Sequence, residues 1–201
     1  MIKLYGIRQS RAVRSLWALE ELGVPYENVP IHFATDAKTP EYKRINPNGR
    51  IPMLVDGDVA LFESMAINLY LTKKYDKSGL YPKSVADEGR AFQWSLWGMT
   101  ETEGPLLQVL MHRAFLPPAQ RDEALAQAGV DKLAQPLAVL DAALAGKKYL
   151  LGDAFTIADL NLASVLSWAL ATKLDLSKTP NVARWLGECC SRPAFVKAQR
   201  G

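Results

Sequence analysis

The chain has 201 residues, of which 49% are hydrophobic and 22% charged, and its formal net charge is +3. A chain of this length can bury a full core and can form one large domain or two small ones. Its nearly balanced charge excludes a surface that grips nucleic acid by neutralising phosphates.

The first 75 residues alternate strand and helix signals in the order βαβαββα. A broad apolar stripe in the first helix, which Gly23 closes, is typical of a helix that packs on a sheet. Asp56-Gly57 makes a tight hairpin turn, and Glu63-Ser64 opens the helix that follows. Strands are predicted at 2–6 and 26–31, helices at 11–22 and 40–45, and the hairpin strands at 51–55 and 59–62.

The rest of the chain has helical patterns. Gly104-Pro105 predicts a kink in the first long segment, and Pro136 is expected to interrupt the second. The third segment is apolar around nearly its whole circumference, which indicates the buried central helix of this half. The three segments are 86–115, 119–144 and 157–170.

Residues 76–85 are polar, rich in turn formers and without periodicity, which indicates a linker. We therefore predict an α/β domain at 1–75 and an all-α domain at 86–201. Thr156 and Asp159, at the start of the central helix, have the spacing of a capping box. Asp159 is accordingly interpreted as structural rather than catalytic.

The segment 46–68 reads NPNGRIPMLVDGDVALFESMAIN and combines three features of a surface that binds a small peptide. Pro52 belongs at the start or edge of its strand, and a cis bond at Ile51-Pro52 would suit this place. Such a bond would leave the Ile51 backbone N–H and C=O free to pair with a ligand strand. Ser64 is the expected cap of the next helix, whose first-turn N–H groups form a natural carboxylate site beside Glu63. Taken one at a time these are ordinary turn and cap residues, and it is their joint spacing that favours a binding site.

Ser10 lies just before the first helix, where serine is a natural cap. A hydroxyl there can also donate a hydrogen bond to a bound thiolate, whose charge the helix dipole favours. Lowering a thiol pKa of about 8.5 by about two units requires roughly 2.7 kcal/mol, which this bond, the dipole and Arg11 can supply together. Because no His or Asp lies near Ser10 in the sequence, we expect the ligand to bring the nucleophile. Tyr5 is the rival hydroxyl, although its position in the strand favours packing.

Arg8, Arg11 and Arg14, which lie close together in the sequence, suggest a local basic cluster for a small anion.

Cysteine and histidine usage gives little support for metal chemistry. The two cysteines, Cys189 and Cys190, are adjacent, which excludes a disulfide framework and a spaced thiolate site and favours a reducing compartment. His32 and His112 are far apart and have no nearby Cys or His partner. The chain starts directly as a strand, and no apolar run approaches the roughly 18 residues of a membrane span. We expect a cytoplasmic protein without a metal.

The sequence resembles the cytosolic glutathione transferase superfamily over essentially its whole length. The likeness lies in LYGIRQSRAVRSLWALEELGVPYE, NPNGRIPMLVDGDVALFESMAIN and LYLTKKY, and later in YLLGDAFTIADL and TPNVARWLGECCSRPAF. Ser10, where other members have cysteine, makes the chain similar to bacterial, serine-type, theta- or beta-like members. The resemblance implies a thioredoxin-like N-terminal domain with a mixed four-stranded sheet and an all-α C-terminal domain. It also implies glutathione as co-substrate, an electrophile bound between the domains, and a homodimer.

The resemblance implies a role for each candidate residue. Ser10 matches the thiolate-stabilising serine, and Ile51 before Pro52 matches the residue that pairs with the cysteinyl backbone of glutathione. Glu63 and Ser64 match the pair that binds the γ-glutamyl end. The remaining implied residues are Arg11 at the glutathione site and Arg50 or Lys38 at the glycyl carboxylate. At the electrophile pocket they are Tyr5, Trp97, Thr100, Leu107 and Met111, for which ordinary packing is the alternative.

We therefore expect a glutathione S-transferase that activates glutathione as a thiolate for conjugation to hydrophobic electrophiles, with glutathione peroxidase activity as a further expectation. Dehalogenation and isomerisation use the same thiolate and stay open. The alternative is a non-catalytic relative that keeps the fold for binding or for contacts with other proteins. Retention of Ser10, Ile51-Pro52 and Glu63-Ser64 together favours the enzyme. No nucleic-acid or membrane partner is expected.

Overall fold

The structure, a computed structural model, describes residues 1–200. Its contacts divide the chain into two compact units, Met1–Tyr81 with the segment from Arg192 onward, and Pro82–Ser191. The sequence-based division assigned residues 86–201 to one helical domain. The contacts instead group the last helix with the first unit.

The first unit contains a four-stranded sheet. Its elements up to residue 75 are β1 (Ile2–Tyr5), α1 (Ala12–Leu22), β2 (Tyr26–Val29), α2 (Pro40–Ile45), β3 (Met53–Asp56), β4 (Val59–Phe62) and α3 (Ser64–Tyr75). The strand order is β2-β1-β3-β4, with β1 parallel to β2 and the other two pairs antiparallel. The predicted βαβαββα order and the mixed sheet are confirmed.

Helix α1 is the buried helix that its apolar stripe predicts. Leu16, Trp17 and Leu19 are fully buried, and α1 packs against α3. The helix ends at Gly23, whose φ of 62° lies in the left-handed region that glycine adopts without a Cβ clash.

The second unit consists of helices, as expected. They are α4 (Val85–Trp97), α5 (Glu103–Leu110), α6 (Glu123–Ala143), α7 (Ile157–Ala171) and α8 (Pro180–Cys190). Wider π-helical turns at Gly98–Thr102 and Met111–Phe115 flank α5. Pro105 has no amide hydrogen, so the carbonyl four residues earlier cannot be paired in the ordinary helical way. The π-helical turn at Gly98–Thr102 therefore lies one turn before the predicted kink at Gly104-Pro105.

Two predictions about α6 were wrong. The helix begins at Glu123 rather than near residue 119, because Asp122 caps it by accepting hydrogen bonds from the amides of Ala124 (2.8 Å) and Leu125 (3.2 Å). Pro136 lies inside the helix, which continues to Ala143. The helix therefore continues although Pro136 cannot donate the backbone hydrogen bond of an ordinary helical residue.

Helix α7 is the central buried helix of the second unit, as predicted. Its start is fixed by Asp159, whose carboxylate accepts hydrogen bonds from the backbone amide of Thr156 (3.0 Å) and of Leu150 (2.8 Å). Trp185 of α8 donates to the same carboxylate at 2.9 Å. Asp159 is fully buried, and its partners belong to three chain segments of the core. All of these contacts are structural, as the interpretation of Asp159 from the sequence predicted.

The last helix, α9 (Pro193–Arg200), packs on α1. Just before it, the Arg192 guanidinium donates to both carboxylate oxygens of Glu21, at 2.6 and 2.8 Å. The ring of Phe195 meets Trp17 edge to face, with centroids 4.7 Å apart. A paired ion and an aromatic contact thus join the end of the chain to the first unit.

No helix within residues 1–200 is both long and apolar enough to cross a membrane.

The hairpin of β3 and β4 is fastened to α3 through one carboxylate. Asp56, at the turn, accepts hydrogen bonds from the hydroxyls of Tyr70 (2.9 Å) and Tyr75 (2.7 Å) and from Lys74 Nζ (2.8 Å). Burial alone would raise the pKa of Asp56, but these three donors outweigh it and hold the pKa below its ordinary value. The charged form of Asp56 therefore stabilises the fold.

Replacing Asp56 by Asn is expected to destabilise the protein by about 1–2 kcal/mol near neutral pH, because three donors lose a charged acceptor. Since folding lowers the pKa of Asp56, its contribution is complete above the unfolded value of about 3.9 and is lost as the pH falls through the lower folded value. The stability difference from the wild type should therefore shrink on acidification, which chemical unfolding at neutral and acidic pH measures. Asp58→Asn removes an exposed charge from the same turn and is the control. An equal loss in both variants would contradict the role of the network.

Candidate active site

Three separate parts of the chain meet at one end of the sheet. Tyr5, the last residue of β1, pairs with Met53, the first residue of β3, and Met53 pairs in turn with Phe62, the last residue of β4. The loop at 6–11 follows the first of these strand ends. Ile51-Pro52 precedes the second, and Glu63-Ser64 follows the third. The register thus brings together segments that are far apart in the sequence.

Gly6 makes a close approach between two of these segments. Its φ is 145°, and a Cβ added there would lie 2.6 Å from the Cβ of Ala12 and 3.3 Å from the Cβ of Ile51. The absence of a side chain therefore lets the start of α1 lie against the Ile51 segment. This places the Ser10 loop beside the Ile51-Pro52 step.

Ser10 occupies the last turn of the loop before α1 and is partly exposed. Its hydroxyl donates to the carbonyl of Ile7 at 2.6 Å and accepts from the amide of Ala12 at 3.1 Å. The cap position itself is held by Arg11, so the prediction that Ser10 is the cap was off by one residue. Ser10 nevertheless satisfies one of the unpaired amides of the first turn, which is the physical task of a cap.

The expected cluster of three arginines does not form. Arg8 Nη1 donates to the carbonyl of Ala198 in α9 at 2.7 Å. Arg14 is 1% exposed, because its position on α1 faces the interior. Arg11, partly exposed at the first turn, stays beside Ser10.

The Ile51-Pro52 peptide bond is cis, as the sequence suggested. Within residues 1–200, neither the N–H nor the C=O of Ile51 takes part in a backbone hydrogen bond. The preceding carbonyl, that of Arg50, accepts from Tyr42 Oη (2.8 Å) and Asn46 Nδ2 (2.7 Å). Two side chains thus hold the chain next to Ile51 while leaving the Ile51 backbone available.

Lys38 ends a short 3₁₀ helix, Asp36–Lys38, and its side chain reaches the turn at Gly49-Arg50. Lys38 Nζ donates to the carbonyl of Gly49 at 2.7 Å, and both cationic side chains belong to exposed residues. The structure therefore supports neither Lys38 nor Arg50 over the other, since both cations stand at one edge of the Ile51 segment.

Glu63 and Ser64 form the entry to α3. Glu63 holds the cap position with φ 69° and ψ 112°, and Ser64 is the first helical residue, so the sequence-based assignment of the cap to Ser64 was off by one. Glu63 is exposed, whereas Ser64 is 3% exposed. No partner for the Ser64 hydroxyl occurs in the described part of the chain, residues 1–200. Backbone amides of this first turn also lack intrahelical acceptors.

Tyr5, the rival hydroxyl, is mainly a packing residue. Its ring meets Tyr42 edge to face, with centroids 6.3 Å apart, and packs with Ile51 against a small core that includes Met53. Burial raises the pKa of Tyr42 to about 12, which keeps that phenol protonated as a donor to Arg50. The two tyrosines therefore support the Ile51 segment from the sheet side.

The four remaining candidates lie in the second unit. Trp97 ends α4 and contacts Trp94 edge to face at 5.2 Å, and Thr100 is exposed in the following π-helical turn. Leu107 and Met111 are partly exposed, one turn apart. All four keep accessible surface, which ordinary core packing would remove.

Sequence reasoning missed the residues that hold the site in place. Asn46 had a recognisable signal, because asparagine before Pro-Asn-Gly often bonds to nearby backbone groups. Tyr42 and Asn28 had no such signal in the sequence. Asn28 Nδ2, on the neighbouring strand, donates to the carbonyls of Leu4 and Gly6, each at 3.0 Å. Such contacts depend on tertiary structure.

The histidines and cysteines are placed as structural residues. His32 Nδ1 lies 3.3 Å from the donating amide of Ala34, and His112 Nδ1 lies 3.2 Å from that of Asp122. Burial raises the pKa of the Cys190 thiol to about 12, which disfavours a thiolate of the protein itself. Among residues 1–200, no group of three or more His, Cys, Asp and Glu side chains is arranged to hold a metal ion.

Family models for the glutathione S-transferase N-terminal domain and C-terminal domain match residues 1–73 and 105–193. The chain is 38% identical to glutathione S-transferase 3 of Zea mays, with 98% of this chain and 92% of that protein covered. It is 33% identical to glutathione S-transferase F13 of Arabidopsis thaliana, with 100% and 95% covered. The chain belongs to the glutathione S-transferase family. The resemblance found in the sequence is thereby confirmed.

Solved structures support the same family assignment. The theta class glutathione S-transferase of Xanthomonas axonopodis pv. citri, solved with glutathione bound, superposes with a TM-score of 0.91 at 32% identity. The comparison covers 100% of this chain and 97% of that one. The two-domain fold of the family, with its thioredoxin-like sheet, is therefore the fold of this chain.

The backbone of Glu63 is expected to be strained, because a positive φ is uncommon for a residue with a side chain and costs about 1–3 kcal/mol. Glu63→Gly should therefore keep or raise the thermal unfolding midpoint, although glycine adds entropy to the unfolded chain. Ala66→Gly, at an exposed helical position in the same turn, is the control and should lose about 1 kcal/mol. If both glycine variants lost the same stability, position 63 would carry no strain.

Proposed function

We propose that this chain binds glutathione across the end of the sheet where β1, β3 and β4 meet, and that it transfers the bound thiol to electrophiles. Membership of the glutathione S-transferase family, with full-length relatives of that name, supports a glutathione transferase function. The observation that carries the assignment of the site is the pairing of Tyr5 with Met53 and of Met53 with Phe62. This register brings the Ile51 segment, the entry to α3 and the Ser10 loop to one end of the sheet, which supports a shared ligand site there.

The peptide backbone of glutathione pairs with Ile51 in this proposal. An extended ligand needs a donor and an acceptor that the fold has not already used. The N–H and C=O of Ile51 meet that requirement among the described residues, and the bonds to the Arg50 carbonyl keep the segment in place.

The γ-glutamyl end, which carries a carboxylate and an ammonium group, binds at the entry to α3. The carboxylate accepts from the Ser64 hydroxyl and from first-turn amides, where the helix dipole favours negative charge. The exposed carboxylate of Glu63 accepts from the ammonium group. The left-handed backbone of Glu63 supports this role, because strain of this kind clusters at binding sites.

The glycyl carboxylate, at the other end of the tripeptide, meets the cations beside Gly49. Arg50 belongs to this turn, and Lys38 donates to the Gly49 carbonyl from outside the turn, which supports a contact of either cation with the carboxylate. Arg11 adds positive charge at the first turn of α1. The charges of the site thus complement those of a tripeptide with two carboxylates and one amine.

Ser10 stabilises the thiolate. In the free protein its hydroxyl hydrogen is held by the carbonyl of Ile7, so binding requires the hydroxyl to rotate from that neutral acceptor to the charged sulfur. A neutral hydrogen bond contributes about 0.5–1.5 kcal/mol and one to a charged group about 1.5–3 kcal/mol, so the exchange is favourable. The amide of Ala12, which already donates to Ser10 Oγ, keeps the oxygen at the helix terminus.

Ionised and oriented, the sulfur attacks an electrophilic carbon of a hydrophobic substrate such as an aryl halide, and the carbon–halogen bond breaks with loss of halide as the C–S bond forms. With a hydroperoxide the sulfur attacks the terminal oxygen, the O–O bond breaks and the departing alkoxide is protonated to the alcohol. A second glutathione then converts the resulting sulfenic acid to glutathione disulfide and water. The partly exposed side chains of Trp97, Leu107 and Met111, with the exposed Thr100, are the proposed contacts for the electrophile. Their accessible apolar surface supports this assignment.

A homodimer in the cytoplasm is also proposed. Exposed apolar side chains, among them Phe62 of β4 and Leu96 of α4, support association with a second copy. Neither Cys189 nor Cys190 forms a disulfide, which accords with a reducing compartment. Sedimentation and cell fractionation address these two points.

The function is tested with purified protein, glutathione and an activated aryl halide, with a hydroperoxide and with a haloalkane in parallel. We expect glutathione to be retained on an affinity resin and conjugation to be accelerated. Retention without acceleration toward any of these substrates would instead support the non-catalytic alternative. Failure to bind glutathione would contradict the proposed site.

Replacing Ser10 by Ala should raise the pKa of bound glutathione by about one to two units, because a charge-assisted hydrogen bond to the thiolate is lost. The conjugation rate near neutral pH should fall about tenfold or more, and recover as the pH rises. The pH dependence of the rate and the ultraviolet absorbance of the thiolate measure this. Ser10→Thr, which keeps the hydroxyl, is the matched variant. An unchanged pH profile in Ser10→Ala would transfer the role to Tyr5 or a backbone donor.

A further inference from the structure

The loop that carries Ser10 has no regular structure of its own, so its shape depends on hydrogen bonds to other elements. At its start, the Gly6 amide donates to the carbonyl of Val29 at 2.9 Å, and Asn28 Nδ2 donates to the Gly6 carbonyl at 3.0 Å. At its end, Ser10 bonds to Ala12. The middle of the loop, at Arg8, is held by an element from the far end of the chain.

That element is α9. Arg8 Nη1 donates to the carbonyl of Ala198 at 2.7 Å, in the last turn of α9. Carbonyls of a last helical turn lack intrahelical partners and carry the negative end of the helix dipole. A guanidinium is therefore well matched to this place, both as a donor and as a charge.

The surroundings keep Arg8 and α9 together. Glu20 of α1 accepts from Tyr26 Oη at 2.6 Å and pairs with Lys197 Nζ at 2.7 Å. Burial alone would raise the pKa of Glu20, but the bonds from Lys197 and Tyr26, with the charges of Lys197 and Arg8, hold it below its ordinary value. Glu20 is thus a charged group that attracts both the loop and α9.

Arg8 lies between the two residues that define the state of the Ser10 hydroxyl. Ile7 supplies the carbonyl that holds the hydroxyl hydrogen, and Ser10 supplies the hydroxyl itself. A shift of the backbone at Arg8 would therefore move both partners. A displacement of about 1 Å in a positioned group is enough to lower catalytic rates strongly.

We propose that Arg8 is a positioning residue of the glutathione site: by fastening the loop to the last turn of α9, it sets where the Ser10 hydroxyl meets the bound thiolate. This inference rests on the proposed role of Ser10. It makes α9, which contributes no residue to the proposed glutathione contacts, part of the structure on which thiol ionisation depends.

Replacing Arg8 by Ala is expected to raise the pKa of bound glutathione by about half a unit and to lower kcat/KM about three- to tenfold, because part of the Ser10 interaction is lost. The affinity for glutathione should change little, since Ile51, Glu63 and Ser64 are untouched. Thiolate absorbance against pH, calorimetric titration and steady-state kinetics measure these quantities.

Two further variants distinguish a positioning role of Arg8 from a direct effect of its charge on the thiolate. Arg8→Lys keeps a donor and the charge, whereas Arg8→Gln keeps a donor without the charge. Positioning predicts that both restore part of the thiol ionisation, which also provides folded variants if Arg8→Ala is unstable. Recovery in Arg8→Lys alone would mean that the charge acts on the thiolate through space, and would overturn the proposal.

Lys197→Ala is the control for a merely structural effect, because it breaks the ion pair between α9 and Glu20 without touching the loop. It should raise the pKa of bound thiol much less than Arg8→Ala does, because the bond from Arg8 to Ala198 remains. An equal rise in Lys197→Ala and Arg8→Ala would show that loosening α9 in general, and not the Arg8 contact, produces the effect.

A double-mutant cycle with Ser10→Ala completes the test. If Arg8 acts through Ser10, Arg8→Ala should have no further effect on the thiol pKa in the Ser10→Ala background. Additive effects, or no effect of Arg8→Ala in the presence of Ser10, would overturn the positioning role alone. No effect of Ser10→Ala would instead overturn the proposed function of Ser10, so the two failures are distinguishable.

Discussion

The site depends first on the register of the sheet. Because β3 runs antiparallel to both β1 and β4, its first residue, Met53, lies beside the last residues of the other two strands. A slip of one residue would turn every side chain of a strand to the opposite face and displace the segments at its ends. Gly6 then permits the close approach that the register demands. Proper pairing of three short strands therefore determines whether the Ser10 loop, Ile51 and the entry to α3 form one surface.

A second principle is that side chains from elsewhere hold the irregular segments. Tyr42 and Asn46 hold the carbonyl before Ile51, Asn28 holds the start of the Ser10 loop, and Asp56 joins the hairpin to α3. In each case a buried or half-buried polar group satisfies a backbone or charged partner. The groups proposed to contact glutathione remain available because these other residues stabilise the loops.

Most of the fold could be predicted from local patterns, and most of the supporting contacts could not. The hairpin at Asp56-Gly57 and the capping spacing of Thr156 and Asp159 have short-range physical causes that are visible in the sequence. The burial of Arg14 and the docking of Phe195 on Trp17 depend on which helix faces meet, and a helical pattern does not reveal this. Local signals located the Ser10 loop, Ile51-Pro52 and Glu63-Ser64. Their convergence at one end of the sheet follows from strand register.

The strained entry to α3 has a structural counterpart in the hairpin before it. Glu63 follows β4 directly, and β4 has only the four residues Val59–Phe62. At the opposite end of this short strand, Asp56 ties the hairpin turn to Tyr70 and Tyr75 of α3. Strand and helix are therefore joined both through the chain at Glu63 and through side chains at the turn. A residue can persist in an unfavourable backbone region when its surroundings fix both neighbours, and this closed arrangement does so. The energy cost of the positive φ at Glu63 is thus offset by the contacts of Asp56 with α3.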